Sequence, residues 1–259
     1  MCRRKKVTVA EEIPELELGL RSFKRFSSFQ EVKLKRQPDV MADKVNPPHR
    51  YETSLMEDTL PTRDPQELLK IWRETIARSK TTSDLELNAC CLCTVGRNMQ
   101  PSSRIIMPTS YTAEGISFFC NYDSRKGREL EENPRASMLF YWPTHYKQVR
   151  LEGGVWKLTV EEAELCWKSL PLSLRIGYKV SEHCSSVVQN KQCLQDKRKA
   201  LEKLAATKGE AAITRLETFG GYIFKPDYFE FWQGQSDHID DRLEFYKTNG
   251  TWLVQRLSP

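Results

Sequence analysis

The run NYDSRKGRELEENPRASMLFYWPTHYKQVRLEG, residues 121 to 153, constrains the fold of this chain more than any other stretch. Ala136, Met138, Phe140 and Trp142 alternate with Ser137, Leu139 and Tyr141, the period of a largely buried strand. A second strand, Lys147 to Trp156, places Gln148 and Arg150 on one face and Val149 and Leu151 on the other, so two polar side chains can line a site. Ahead of both strands, Ser124 is a good N-cap, with Arg125 and Lys126 in the first helical turn. Cations are disfavoured there by the helix dipole unless they face an anion, and free N–H groups beside two cations make a seat for phosphate. Taken alone, the same spacing also suits a solvated basic turn.

The rest of the chain reads as more strands with added helices. Asp64-Pro65-Gln66-Glu67 supplies an N-cap, a proline at the first helical position and a capping-box acid, and Leu68, Leu69, Trp72 and Ile76 continue a helix to about Arg78. Strands are expected at 89–95, 104–108 and 116–120, then at 221–224, 228–233 and 243–247, with Asn249-Gly250 turning a type I′ hairpin into 252–255. Residues 160–206 read instead as helices packed outside the sheet, broken near Pro171 and at 181–186. Many antiparallel strands with peripheral helices point to a closed barrel with helical additions.

Charge divides the chain of 259 residues into a leader and a body. Residues 1–50 hold 12 Lys/Arg against 7 Asp/Glu, so the net charge of +5 belongs to them and the remainder is balanced. We expect a basic, flexible tail over 1–54 and one domain over 55–259. Four clustered cations, Arg3 to Lys6, are too few to indicate nucleic acid. No run suits a membrane span or the apolar core of a signal peptide, which predicts a soluble cytoplasmic protein. The eight cysteines include one C-x-x-C pair, Cys90 to Cys93, without a second, so no metal is expected and small buried thiols in a reducing compartment explain them.

The ordered words SRKG(R)EL, NPxAS, FYW and QVRxEG, with Pro101-Ser102-Ser103-Arg104, Ile116 to Asn121, Gly220-Gly221-Tyr222, Glu230 to Gln235, Asp241-Arg242 and Arg256 to Pro259, resemble the pyridoxamine/pyridoxine 5′-phosphate oxidase family. The resemblance runs from about residue 55 to the last. It implies a mostly β fold with peripheral helices, an FMN-binding split β-barrel, and a homodimer with flavin at the subunit interface. Position by position, it implies that Arg104, Arg125 and Lys126 hold the flavin phosphate and neighbouring groups, and that Gln148, Trp232 and Arg242 make further flavin contacts. Ile105, Ile106 and Met107 follow on the first flavin-contacting strand, Phe119 and Cys120 lie on the next, and Cys184 and Ser185 on a later loop.

Several positions depart from the family pattern. Cys120 replaces the usual Thr, Cys184 replaces the Gln of a QSS motif, and the loop before it is one residue longer. Where the family grips its substrate phosphate with Lys, Tyr, Arg and Ser, this chain has Thr109, Cys166, Leu170 and Leu174. An R-x-H pair over the substrate ring is here His238-Ile239-Asp240, so His238 and Asp240 hold the implied catalytic positions in altered form. The implied activity is hydride transfer from the C4′ carbon of the vitamin B6 phosphate to FMN, with reoxidation by O₂ to hydrogen peroxide. Two alternatives stand beside it. One is a flavoenzyme whose apolar Cys166, Leu170 and Leu174 suit a less anionic substrate; the other is a non-catalytic flavin-binding or dimerising protein.

Overall fold

The computed structural model describes residues 54–79 and 81–259. All but the last residue of the expected basic tail lies outside the described residues. Helices α1 (Pro65–Arg78) and α2 (Asp84–Asn88) lead into strands β1 (Cys90–Val95), β2 (Pro101–Ile106), β3 (Ser110–Thr112) and β4 (Gly115–Asn121). Helix α3 (Arg125–Glu132) and strands β5 (Arg135–Trp142) and β6 (Lys147–Lys157) follow. Helices α4 (Val160–Ser169), α5 (Leu172–Val180) and α6 (Lys191–Lys208) precede β7 (Phe219–Gln233), β8 (Asp241–Thr248) and β9 (Thr251–Arg256).

All nine strands join one antiparallel sheet, in the order β2-β1-β5-β6-β7-β4-β3, with β8 and β9 branching from β7. The branch exists because β7 is long. Its first half pairs with β4 and its second half with β8 on one edge, while β6 runs along the whole of the other edge. The sequence pattern suggests two strands here, 221–224 and 228–233, with Pro226 between them. The chain instead absorbs the proline at a bulge, where Gly153 pairs with Pro226 and Glu152 with Tyr228, so the strand bends without ending. The expected strand 104–108 likewise shifts to Pro101–Ile106. Asn249 and Gly250 have φ of 50° and 81°, the left-handed pair that a type I′ turn needs.

One face of the sheet encloses the main core. Leu92, Met138, Phe140, Phe229, Phe231 and Phe245 are each fully buried there, worth about 1.5 to 3 kcal/mol apiece in apolar burial. Helix α1 closes over it, capped by Asp64 accepting from the Gln66 N–H at 2.9 Å, and the edge of Trp72 meets Phe231 at 5.1 Å. Glu67, expected to complete a capping box, pairs with Lys70 at 3.2 Å on the exposed side. A second core lies outside the sheet, as the composition of 160–206 suggests. Trp167 of α4, Ile176 of α5, Ala205 of α6 and Ile213 gather on Phe219, and the Trp167 indole donates to Ile213 O at 3.2 Å. Among the described residues no helix is long and apolar enough to cross a membrane.

Candidate functional site

The N-terminus of α3 is built against the end of β4. Ser124 Oγ accepts from the Gly127 N–H at 3.3 Å, which is the N-cap expected from sequence. Gly127 is required there, because a Cβ would stand 2.1 Å from the carbonyl oxygen of Tyr122. The turn is therefore pressed onto the strand exit, with Arg125 and Lys126 at its opening.

Below this opening Glu129 is buried, 7% exposed, and organises two arginines. Its Oε1 accepts from Arg125 Nε at 2.7 Å, and its Oε2 lies 3.5 Å from Arg104 Nη2. Thr94 and Ser102 hydroxyls both donate to Oε2 at 2.5 Å and accept from Arg104 at 2.7 and 2.5 Å. Burial pushes the Glu129 carboxyl up, but the hydrogen bonds from Ser102, Thr94 and Arg125 together outweigh it and hold the group down at about 2. Lys126 Nζ rests on Ser124 Oγ at 3.2 Å. Arg104 and Arg125 thus share one carboxylate and Lys126 rests on Ser124 beside them, so the three cations outnumber the acid they bond by two.

The remaining residues of this cluster come from β4 and the loop after α5. Ser185 Oγ accepts from the Arg125 N–H at 3.2 Å, and Asn121 Nδ2 donates to Glu182 O at 2.8 Å, tying the loop to the turn. Cys120 is buried, and burial pushes its thiol up to about 11, opposed by Lys126 and by a hydrogen bond with Ser124. It is uncharged near neutrality and adds no negative charge beside the cations. Cys184 lies close enough to Cys120 to act on it electrostatically. Phe119 turns away, stacking on Phe219 at 5.8 Å.

A second group of predicted residues forms a row across three strands. Gln148 of β6 pairs with Trp232 of β7, which pairs with Arg242 of β8. Arg242 Nε binds buried Glu230 at 2.9 Å, and Arg150 binds the other Glu230 oxygen at 3.3 Å. The β7–β8 turn beside the row holds His238 at φ 65° and Asp240, whose Oδ1 accepts from the Gln235 N–H at 3.0 Å. The two groups are far apart along the backbone. Cys120 pairs with Gly220 near one end of β7 and Arg242 with Trp232 near the other, a run of strand about 40 Å long at roughly 3.3 Å per residue.

The positions matched to substrate binding lie on separate elements of the fold. Thr109 Oγ1 donates to Ser117 O at 3.2 Å, Cys166 and Leu170 pack against the second core, and Leu174 is 52% exposed. Ile105 and Met107 are exposed on β2 and just beyond it, while Ile106 packs inward on the main core. A cleft of about 570 Å³ between α1 and the β3–β4 hairpin, lined in part by Arg73, Tyr111 and Phe229, includes none of these residues.

Sequence reasoning missed three buried polar anchors. Glu129 was hidden because its hydroxyl partners, Thr94 and Ser102, lie on strands β1 and β2. Asp241, 2% exposed, accepts from the Leu55 N–H at 2.9 Å, from Gln235 and from Arg256 at 2.5 Å, clasping both ends of the described segment. Lys147 lies over the Trp72 ring at 4.1 Å, and burial pushes its pKa down to about 8. The one available signal was that Glu129 stands four residues after Arg125 on the same helix.

Comparison with known proteins places these features in a family. A family model described as pyridoxamine 5′-phosphate oxidase matches residues 81–203, and one described as the pyridoxine 5′-phosphate oxidase C-terminal dimerisation region matches residues 219–259. A Caenorhabditis elegans protein, provisionally described as a pyridoxamine 5′-phosphate oxidase, is 47% identical over 209 residues, covering 81% of this chain and 92% of its own. A Bos taurus pyridoxine-5′-phosphate oxidase is 37% identical over 227 residues, 82% of this chain and 85% of its own. The crystal structure of PhzG from Burkholderia lata 383, in complex with tetrahydrophenazine-1-carboxylic acid, is similar at a TM-score of 0.72 and 28% identity, covering 80% of this chain and 99% of that one.

Proposed function

Because the chain belongs to the pyridoxamine 5′-phosphate oxidase family, we propose that it is an FMN-dependent oxidase, inheriting the oxidation of pyridoxamine or pyridoxine 5′-phosphate to pyridoxal 5′-phosphate. The observation that carries this reading is the α3 entrance, where Arg104 and Arg125 share one buried carboxylate and Lys126 rests on Ser124, so that cations outnumber the acid they bond by two beside helix N–H groups. That donor set fits a phosphate dianion. Arg125, Lys126 and Ser185 would hold the phosphate, with Arg104 set behind them by Glu129.

Flavin mononucleotide, when bound, supplies the two-electron redox chemistry. The protein supplies binding and orientation. Gln148, Trp232 and Arg242 would meet the flavin ring system, with Arg242 fixed by Glu230. In one chain this row and the phosphate seat are separated along β7 by more than the length of the cofactor, which supports a homodimer in which each site takes one group from either subunit. The match of residues 219–259 to a dimerisation region supports the same arrangement. The seven described cysteines are free thiols, which suits a cytoplasmic protein.

The substrate positions favour a second reading, a substrate less anionic than a phosphate monoester. Thr109, Cys166, Leu170 and Leu174 offer no cation, and each lost charge-assisted hydrogen bond costs about 1.5 to 3 kcal/mol. The deciding experiment is an oxidase assay with pyridoxamine 5′-phosphate on protein reconstituted with FMN. Turnover at an efficiency ordinary for such oxidases supports the inherited reaction. A flavin-loaded protein that this substrate fails to reduce under anaerobic conditions overturns it.

A further inference from the structure

We propose that Cys91 and Cys93 form a binding site for a soft, thiophilic cation of the copper(I) class on the outward face of β1. Their sulfurs stand 4.0 Å apart, both thiols are free and half-buried, and Leu92 between them turns into the core. Strand β1 is paired along both edges, to β2 and to β5, so the backbone holds this spacing. Cys93 is flanked in register by Ser103 and Ser137, and Cys91 by Ile105 and Leu139. Cys93 is therefore bordered by small hydroxyls that leave room for an ion, and Ser103 also hydrogen-bonds Cys91.

The spacing selects the kind of ion. With metal–sulfur bonds of about 2.3 Å, a 4.0 Å separation gives a sulfur–metal–sulfur angle of about 120°. That is a trigonal arrangement, with its third position facing Ser103 and solvent. Zinc in structural sites takes four protein ligands, and among the described residues no group of three or more His, Cys, Asp or Glu could hold a metal. Thiolates favour copper(I) by softness, and copper(I) is satisfied by two or three ligands. Burial and the neighbouring Cys93 push the Cys91 thiol up, while Ser103 and Arg104 oppose them. Binding must displace protons, so affinity should rise with pH.

The test is a titration of the full chain with copper(I), delivered from a bicinchoninate complex under anaerobic reducing conditions. One ion per chain is expected. Cys91→Ser or Cys93→Ser should weaken it by more than the roughly 10- to 100-fold lost with a merely supporting group, whereas Cys120→Ser and Cys184→Ser should leave it unchanged. Ser103→Cys, across from Cys93, would add a third sulfur and tighten binding, a gain that does not depend on the serine variants folding well. A folded Cys91→Ser/Cys93→Ser double variant that binds copper(I) as wild type does would overturn the proposal, as would a wild type and a Ser103→Cys variant that both fail to compete with bicinchoninate.

Discussion

Arg104 and Arg125, one on a strand and one on a helix, grip opposite oxygens of the Glu129 carboxylate, at 3.5 and 2.7 Å. Arg150 and Arg242 bracket buried Glu230 in the same manner, at 3.3 and 2.9 Å. At Glu230 the Glu152 carboxylate, 3.5 Å from Arg150, takes up the second charge, whereas at Glu129 one of the two remains. The surplus is what an anionic ligand can use.

Removing that surplus at α3 should release the cofactor. Arg125→Ala combined with Lys126→Ala deletes two charge-assisted contacts of about 1.5 to 3 kcal/mol each, so FMN affinity should fall by about a hundredfold or more. Riboflavin, without the phosphate, should bind weakly to both proteins. Equal wild-type affinity for FMN and riboflavin in a fluorescence titration would remove the phosphate seat.

Glu129 should make the fold acid-sensitive in a defined window. Its folded pKa is depressed from 4.5 to about 2, so its contribution is present above about pH 4.5 and is lost as pH falls toward 2. Glu129→Gln should be less stable than wild type near neutrality by on the order of 2 to 3 kcal/mol. The two proteins should converge in stability near pH 2. Melting curves between pH 6 and 2 check this, and parallel curves across the window would contradict it.

Asp241 should matter as much to stability as a core phenylalanine. Asp241→Ala leaves the Leu55 N–H without its acceptor and takes from Arg256 one of its two carboxylate partners, the other being Glu57, and opening a largely buried pair from one side costs up to about 3 kcal/mol. Urea denaturation should show a lower midpoint with an unchanged slope, because the loss lies in the folded state.

Flavin retention should depend on protein concentration. If each site takes groups from two subunits, dilution through the dimer dissociation constant should release FMN in step with the appearance of monomer. Analytical sedimentation recording flavin absorbance checks it, and a flavin-loaded monomer would rule it out.

Phosphate recognition should be partly recoverable at the substrate side. Thr109→Lys and His238→Arg change two exposed positions and spare Leu170, which the second core needs. His238 already carries the cost of a positive φ, so the replacement adds little strain. Binding of pyridoxamine 5′-phosphate should strengthen by about 1.5 to 3 kcal/mol for each cation that reaches the phosphate, while unphosphorylated pyridoxamine gains little. Anaerobic flavin-reduction titrations with both amines decide it.

Strands that alternate over most of their length, such as Arg135–Trp142 and Lys147–Lys157, were legible because their buried and outward faces differ. β7 was not, since Pro226 reads locally as a breaker and only pairing with Gly153 makes it a bulge. β3 and α2 were too short to leave a period. The candidate site was legible as ordered words, with Ser124, Arg125 and Lys126 meaningful from their own spacing. How Gln148, Trp232 and Arg242 align was not, because strand register depends on partners distant in sequence. Nothing in their local sequence shows that Glu129, Glu230 and Asp241 are buried, because most of their partners come from elements distant in the chain.

Strand β7 also has a genetic consequence. If each site takes its two groups from different subunits, as proposed above, β7 divides that site into two separately mutable halves. A chain damaged at Arg125 and a chain damaged at Trp232 would each form a dimer with two defective sites. In the mixed dimer both lesions fall in one site and the other is whole, so two inactive alleles could restore part of the function between them.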